Sequence, residues 1–211
     1  MAHLARRSFK TETSSQENAR ALAESDVSYR LLYWDISSVA ATARDILSYG
    51  RAKWVNQVAM DEEWDNGKIA TPFRVLPLLN IVLPDGKELF LAESIVIDHY
   101  LAKKFGLLDH DFHLKANGSN GHFVGNQLSL ADIHLANIID HFSQLPQGPI
   151  IIPEFQKCEA IWKVKEAVDS QPDIAAWRAS DECKAFVEGS IKHYMSTAVP
   201  EESKAVDQNV L

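Results

Sequence analysis

The chain has 211 residues, of which 46% are hydrophobic and 24% are charged, a composition typical of a soluble globular protein of one or two domains. Its formal net charge of −8 disfavours nucleic acid and anionic membranes as partners, and no apolar run approaches the ~18 residues that a membrane span needs. The two cysteines, Cys158 and Cys183, are far apart, which predicts neither a disulfide framework nor a zinc site and favours a reducing compartment, the cytoplasm.

Both ends of the sequence are polar. Residues 1–27 lack the apolar core of a signal peptide, so we predict a disordered N-terminal tail. Three basic residues precede the first acid, Glu12, and leave a mitochondrial presequence as a minor alternative. Residues 198–211 are predicted to form a C-terminal tail.

The first predicted elements are a strand, a helix and a second strand. Residues 28–36 are apolar and aromatic, as in a buried strand. Residues 37–50 carry apolar side chains at helical spacing and end at Gly50. Residues 52–60 alternate like a second strand. This order implies a parallel pair of strands with a right-handed crossover.

After an irregular stretch, the pattern changes to a hairpin followed by a helix. We predict a third strand over 74–83, a turn at Pro84-Asp85-Gly86 and a fourth strand over 87–92. Residues 93–106 form an amphipathic helix that ends at a glycine.

Pro77 interrupts the third predicted strand, within "PFRVLPLLNI". A proline cannot donate to a sheet ladder, so it is found at edges, bulges and strand starts. One interpretation is an edge strand. The other is a cis-proline that leaves the preceding backbone free to pair with a ligand.

The order of elements over residues 28–106 is typical of a thioredoxin-like domain. In that fold the strand after the middle link begins with a cis-proline beside the active site, and Pro77 occupies this place. The resemblance therefore favours the second interpretation of Pro77.

Residues 107–197 are predicted to form a second, all-α domain. It begins with a polar loop rich in glycine and asparagine. Ser129 and Asp132 have the spacing of a capping box, with aspartate in place of the commoner glutamate, and the helix over 129–145 is apolar enough to be central and buried. Three further helices are predicted near 153–169, 173–180 and 181–195.

Several motifs in this order resemble the glutathione transferases, and most closely the tyrosine-type members such as the sigma class and its fungal relatives. The motifs are "LLYWDI", "EEWDNGK", "PFRVLP", "LAESIVIDHYLAKKFGL" and "GHFVGNQLSLADI". The resemblance implies a thioredoxin-like domain with an all-α domain. It further implies glutathione as co-substrate, a hydrophobic electrophile as second substrate, a detoxification role and a homodimer.

The sequence departs from the family in three places. Only residues 109–120 lie between Leu108 and "GHFVG", and the resemblance implies that two helices of the second domain are missing. In the family these helices form a wall of the electrophile pocket and much of the dimer interface. Val39 stands where some sigma-class members have arginine, and Arg74 replaces a small residue.

The resemblance assigns catalysis to Tyr33, which ends the first predicted strand. A free thiol has a pKa of about 8.5, and a hydroxyl aimed at the sulfur can lower that pKa by about one or two units. The alternative is an aromatic residue packed at a strand end. Ser37 and Ser38 are rival hydroxyl donors, although serines at that position also cap helices.

The resemblance assigns six residues to glutathione binding: Trp64, Lys68, Leu76, Pro77, Glu93 and Ser94. The Leu76 backbone would pair with the cysteinyl part of the peptide. Ser94 and the helix start would hold the γ-glutamyl carboxylate, and Glu93 would accept from its amine. Trp64 and Lys68 would meet the glycyl carboxylate.

The histidines do not predict a metal site. His110 with His113, and His134 with His141, lack a third ligand at a diagnostic spacing, so we expect ordinary surface or core side chains and no metal.

Three functional hypotheses remain open at this point. The chain is an active transferase, a non-catalytic relative that binds or assembles on the same scaffold, or a shortened splice or gene-model product of an ordinary enzyme.

Overall fold

The computed structural model describes residues 16–69, 71, 74–108, 120–123 and 126–197. These residues form a four-stranded mixed sheet with flanking helices, followed by a region that is helical in its regular structure. The prediction of a thioredoxin-like domain followed by an all-α domain is therefore confirmed. Within the described ranges no helix has the length and apolar character needed to cross a membrane.

The first domain contains α1 (Gln16–Glu24), β1 (Ser28–Tyr33), α2 (Ala41–Tyr49), β2 (Lys53–Val58), α3 (Asp61–Asp65), β3 (Leu78–Val82), β4 (Glu88–Ala92) and α4 (Ser94–Lys104). A single 3-10 turn (Ser38–Ala40) precedes α2. The second domain contains α5 (Leu130–Ser143), α6 (Gly148–Gln156), α7 (Glu159–Asp169), α8 (Pro172–Arg178) and α9 (Asp181–Thr197).

The sheet has the strand order β2-β1-β3-β4. β1 and β2 run parallel, as the strand-helix-strand pattern predicts, and the other two pairs are antiparallel. Leu32 of β1 lies opposite Leu78 of β3, and Leu78 lies opposite Ala92 of β4. This register brings the end of β1, the start of β3 and the end of β4 to one edge of the domain.

The main hydrophobic core lies between the sheet and helices α2, α4 and α5. Its members share near-complete burial and come from both domains: Leu31, Ile46, Leu79, Ile81, Ile97, Leu101 and Ile133. A smaller, separate cluster of buried side chains consists of Leu32, Ala59 and Leu78. Because one core spans α2, α4 and α5, the two domains pack as a single unit.

The predicted disorder of residues 1–27 is wrong for residues 16–24, which form α1. The Lys104 ammonium donates to the carbonyl oxygens of Leu22 and Ala23 at the end of this helix, at 3.1 and 2.7 Å, and Ala21 and Leu22 pack against the core. Because only one side of α1 is apolar, its sequence is polar on average, and this led to the prediction of a disordered tail. Residues 1–15 and 198–211 lie outside the described part.

The helix predicted near 153–169 is two helices, α6 and α7. Cys158 separates them with a non-helical backbone (φ −92°, ψ 89°). α6 begins before the predicted start, and Pro149 in its first turn suits that position because a proline has no N–H to leave unpaired. The short helix α3 lies inside a stretch predicted to be irregular.

The capping box at the start of α5 is confirmed. The Ser129 hydroxyl accepts from the Asp132 amide, and the Asp132 carboxylate accepts from the Ser129 amide at 2.8 Å. Asp132 also accepts from the Phe123 amide at 2.7 Å. The cap therefore holds both the helix and the chain that leads into it.

Candidate functional site

The sheet register brings four of the predicted site segments together at one edge. Tyr33 ends β1 and lies opposite Val58, the end of β2, which leads into α3. The start of β3 and the end of β4 meet at Leu78 and Ala92. The segments that carry Trp64 with Lys68, Leu76 with Pro77, and Glu93 with Ser94 therefore all leave the sheet on the side where Tyr33 ends.

Tyr33 is buried, with 6% of its surface exposed. Burial raises the pKa of its phenol, and interactions with the Ser38 side chain and the Val39 amide oppose part of this rise. The phenol is thus protonated at neutral pH and can act as a hydrogen-bond donor. Its position beside Ser38 brings Tyr33 together with one of the two rival hydroxyls.

Ser37 and Ser38 do not cap a helix in the predicted way. The Ser37 side chain makes no capping hydrogen bond, and Ser38 has a positive φ of 37° within the 3-10 turn. The buried Arg44 instead organises this turn, because its guanidinium donates to the carbonyls of Ile36 and Ser37 at 2.9 and 3.1 Å. Burial lowers the pKa of Arg44 to about 10, so the group remains charged at neutral pH.

Helix α9 holds the same turn from the second domain. The Ser37 amide donates to the Ser190 hydroxyl at 2.8 Å, and the ring of Phe186 lies 3.9 Å from the Arg44 guanidinium carbon. Gly189 lies so close that a Cβ atom there would be 2.3 Å from the Asp35 carbonyl oxygen. The loop after Tyr33 is therefore shaped by a glycine of the last helix.

Replacing Gly189 by alanine is expected to lower the free energy of unfolding by about 1–3 kcal/mol, since the added methyl group must displace either α9 or the loop. Urea unfolding followed by circular dichroism measures this change. Lys192→Ala, at an exposed position of the same helix, is the matched control. Equal stability of the two variants would show that α9 does not press on the loop as described.

Trp64 and Lys68 have different surroundings. Trp64 is half-buried and packs edge to face against Trp34, with ring centroids 5.5 Å apart. The Lys68 side chain is exposed, while its amide closes the α3 segment by donating to the Glu63 carbonyl at 2.8 Å. The structure thus places Trp64 beside the residue that follows Tyr33 and leaves the Lys68 ammonium in solvent.

The Leu76–Pro77 peptide bond is cis, as the resemblance implies. β3 begins only at Leu78, so the strand is shorter than predicted. No backbone hydrogen bond joins Leu76 to another described residue. Pro72 and Phe73 of the motif "PFRVLP" lie outside the described residues.

Glu93 and Ser94 form the start of α4. Glu93 has a positive φ of 74°, which turns the chain sharply from β4 into the helix. Its side chain is exposed, and the Ser94 side chain is half-buried. In the described part of the chain the amides of Ser94 and Ile95 donate to no other group, so the helix presents unpaired donors here.

A cavity of about 290 Å³ lies between this helix start and the second domain. Ser38 and Ser94 of the predicted site line it, together with Asp98, His134, Asn137 and Ile138. Tyr33 is not among its lining residues and approaches it through Ser38. The cavity therefore joins the two serines predicted from sequence to residues of α4 and α5.

Sequence reasoning missed Asp98 and Asn137 as functional candidates, and it considered His134 only as a possible metal ligand. The His134 Nε2 atom lies 3.1 Å from Asp98 Oδ2. Asp98 follows Ser94 by four residues, a spacing that places both on one face of α4, and this was the available signal. The approach of His134 depends on how α5 packs on α4, which no local pattern reveals.

Two apolar side chains beside the cavity are open to solvent. Val39 is 52% and Ile138 is 49% exposed, and both line the cavity. The prediction that α5 is central and buried is therefore wrong at Ile138. An apolar rim around polar side chains is typical of a site for a small molecule.

A second cavity of about 340 Å³ lies among α2, α5, α7, α8 and α9 and is lined by ion pairs. Arg178 meets the carboxylates of Asp45, Asp140 and Asp169 at 2.7, 3.0 and 2.6 Å. Lys165 also pairs with Asp140, at 3.0 Å. Opposite charges here are already matched, so this cluster acts as an interdomain contact.

The histidines that could be considered metal ligands have other contacts. His134 pairs with Asp98, and the His141 ring packs against Tyr194 with centroids 5.3 Å apart. No group of three His, Cys, Asp or Glu side chains suited to a metal ion occurs among the residues that the structure describes. His110 and His113 lie outside those residues.

Comparison with known proteins places these features in a wider context. Residues 81–181 match a family described as "Glutathione S-transferase, C-terminal domain". Over 81 residues the chain is 40% identical to probable glutathione S-transferase 7 of Caenorhabditis elegans, a match that covers 38% of this chain and 37% of that protein. The chain thus spans under two-fifths of the length of the curated nematode relatives it matches.

A longer alignment shows that the lengths differ. A glutathione S-transferase of Anopheles gambiae aligns over 200 positions at 23% identity, which covers 95% of that protein but only 70% of this chain. Because 70% of the 211 residues is about 148, roughly 50 of the 200 aligned positions in the mosquito protein have no counterpart in this chain. This difference agrees with the short connection between α4 and α5.

Solved structures show the same fold. A sigma class glutathione transferase of Fasciola hepatica superposes with a TM-score of 0.61 at 17% identity, covering 74% of this chain and 99% of that one. At this identity the likeness shows the fold alone. The chain has the glutathione-transferase fold, with a thioredoxin-like domain and a helical domain.

Proposed function

We propose that this chain is a glutathione transferase of the tyrosine type, which binds glutathione and adds its thiolate to a hydrophobic electrophile. The observation that carries the proposal is the convergence of Tyr33, the unpaired Leu76 backbone and the start of α4 at one edge of the sheet. The sequence similarity to named glutathione transferases supports it.

In the proposed complex, glutathione lies along this edge as an extended peptide. The Leu76 backbone pairs with its cysteinyl part, as when a peptide adds a strand to a sheet. Ser94 and the free amides of α4 hold the γ-glutamyl carboxylate. The glycyl carboxylate extends toward Trp64 and Lys68, where the exposed ammonium gives a weak, salt-sensitive attraction.

The buried phenol of Tyr33 then acts on the sulfur. Because its pKa is raised, Tyr33 keeps its proton and donates it in a hydrogen bond to the thiolate. The thiol proton leaves to solvent. The thiolate forms a carbon–sulfur bond with the electrophile, and an aryl halide loses its halide in the same reaction.

Replacing Tyr33 by phenylalanine is expected to lower the rate of glutathione conjugation to an aryl halide about 10- to 100-fold at neutral pH. A hydrogen bond to a charged group contributes about 1.5–3 kcal/mol, and its loss raises the pKa of the bound thiol. Stopped-flow absorbance of the thiolate and steady-state rates from pH 6 to pH 9 measure both effects. We expect the rate of the variant to approach that of the wild type as pH rises.

Tyr49→Phe is the matched control, since Tyr49 ends α2 and packs against the core away from the proposed sulfur position. It should leave rate and pH profile unchanged. Ser38→Ala tests the rival hydroxyl donor. If it lowers the conjugation rate as much as Tyr33→Phe does, the donor role belongs to Ser38. An unchanged pH profile in Tyr33→Phe would contradict the role given to this tyrosine.

The exposed rim at Val39 and Ile138 favours one second candidate function, which is binding without conjugation. Apolar surface that is open to solvent gives an electrophile no enclosing wall, whereas the contacts proposed for glutathione at the sheet edge and the start of α4 need none. Glutathione binding by calorimetry, with no conjugation to any of several aryl halides, would support this candidate. The detoxification role, the homodimer and the cytoplasmic location belong to the same proposal as the transferase activity.

A further inference from the structure

The carboxylate of Asp98 is buried in the wall of the 290 Å³ cavity with little to balance its charge. The residue is 4% exposed. Its Oδ2 atom meets His134 at 3.1 Å, while Oδ1 is buried and has no hydrogen-bond partner in the described part of the chain. A carboxylate can accept about four hydrogen bonds, so most of its capacity is unused.

The cavity offers this carboxylate no permanent cation, since the basic side chains among its described lining residues are those of His134 and His141. Its lining side chains include no lysine and no arginine, and Asp98 is the one acidic residue among them. Consistent with this, burial raises the pKa of Asp98, and the interaction with His134 offsets only part of the rise. A buried carboxylate in these surroundings is complementary to a positively charged donor from outside the protein.

One turn before Asp98, the start of the same helix offers hydrogen-bond donors that favour a negative charge. Ser94 lines the cavity at the start of α4, a helix of 11 residues, and the amides of Ser94 and Ile95 are unpaired in the described chain. The start of a helix favours negative charge. Ser94 and Asp98 are four residues apart on one face of the helix, a spacing that puts their Cβ atoms about 6 Å from each other.

We propose that Asp98 receives the ammonium group of an α-amino acid head bound in this cavity, whose carboxylate the proposed function already places at Ser94 and the first turn of α4. This inference rests on the proposed function, since the γ-glutamyl end of glutathione carries such a head. It replaces the expectation that Glu93 accepts from the amine. The Glu93 side chain is exposed and is not among the residues that line the cavity.

His134 has a positioning role. By contacting Oδ2 it fixes the orientation of the Asp98 carboxylate, and Asn137 of the same helix is held by its own bond to Asp45 at 2.9 Å. The site therefore combines α4, which provides the ligand contacts, with α5, which holds them in place.

The test compares two ligands and four proteins by isothermal titration calorimetry. S-methylglutathione has no free thiol and therefore does not depend on Tyr33 as a sulfur activator. Its desamino analogue, in which a glutaryl group replaces the γ-glutamyl group, lacks only the ammonium. The proteins are the wild type, Asp98→Asn, Asp98→Glu and the control Asp26→Asn. The exposed carboxylate of Asp26 pairs with Lys53.

We expect the wild type and Asp26→Asn to bind S-methylglutathione at least about tenfold more tightly than the analogue, as for a charge-assisted hydrogen bond. Asp98→Asn should bind S-methylglutathione about tenfold more weakly than the wild type, and its preference should fall to about twofold or less. Asp98→Glu, which keeps the charge, should recover part of the preference. Asparagine keeps the shape and an acceptor for His134, so the variant is expected to fold, and its thermal melt checks this.

Two results would overturn the inference, and they are distinguishable. If Asp98→Asn keeps the full preference for the ammonium, or if the wild type binds both ligands equally, Asp98 does not receive the amine, while the proposed function stands. If the wild type binds neither ligand, the proposed function fails and this inference fails with it.

Discussion

Replacing Asp132 by alanine is expected to lower the free energy of unfolding by about 3 kcal/mol. The side chain is 0% exposed and accepts three hydrogen bonds, from the Ser129 amide and hydroxyl at 2.8 Å each and from the Phe123 amide at 2.7 Å. Loss of a helix cap costs about 1 kcal/mol, and each buried donor left unpaired adds about 1 kcal/mol or more. Urea unfolding followed by tryptophan fluorescence measures the change.

Asp132→Asn provides the graded comparison for this prediction. Its single amide oxygen can serve either the Ser129 side of the cap or the Phe123 amide, but not both at their present distances. We therefore expect about half the loss seen with alanine. A loss below about 1 kcal/mol for Asp132→Ala would mean that water replaces the carboxylate, so that the cap does not hold the start of α5.

Replacing Arg178 by methionine is expected to lower the free energy of unfolding by about 3–5 kcal/mol at neutral pH. Methionine keeps much of the apolar volume but leaves three carboxylates without their shared cation. Asp45, which is 2% exposed, has its shortest ionic contact with Arg178. Removing one partner of a buried pair is far more destabilising than replacing both.

The loss at Arg178 should depend on pH in a defined direction. Burial already raises the pKa of Asp140, and Arg178 is one of the groups that oppose this rise. Without Arg178 the folded-state pKa of Asp140 lies further above its unfolded value, so the folded state binds a proton that the unfolded state releases. The deficit should therefore be largest near pH 7 and should shrink as the pH falls toward 5.

Arg51→Met is the control for this series. Arg51 forms an exposed pair with Asp173 at 2.8 Å, and exposed pairs contribute little to stability. We expect no measurable pH-dependent deficit in this variant. The double variant Arg178→Met with Asp45→Asn should regain part of the lost stability, because it removes the buried charge together with its partner. No recovery would show that Arg178 acts through packing alone.

The sequence predicted those parts of the fold that depend on neighbouring residues. Strand alternation, the Pro84-Asp85-Gly86 turn and the Ser129–Asp132 spacing act within a few residues, and each led to the observed element. α1 was missed because its stability comes from residues far along the chain, such as Lys104, which caps its carbonyl end. The break at Cys158 was missed because the apolar pattern continues across it.

The candidate site divides in the same way. Tyr33, Leu76 and Ser94 were identified from motifs because each lies at an element boundary that the chain itself defines. Asp98 was not, since a lone aspartate on a helix is usually solvated, and its burial depends on α5. The role of Arg44 depends on the turn at residues 36–38 and on the approach of α9.

The contact between α9 and the loop after Tyr33 also fixes when during synthesis the candidate site can form. The Ser37 amide finds its partner, Ser190, 153 residues later in the chain. Because the N-terminal part of a polypeptide leaves the ribosome first, the sheet can assemble while the second domain is still being translated. The turn beside Tyr33 acquires its last support only once α9 has left the exit tunnel. A nascent chain that has not reached that point carries an incomplete site, so any chemistry at this site has to await translation of the helical domain.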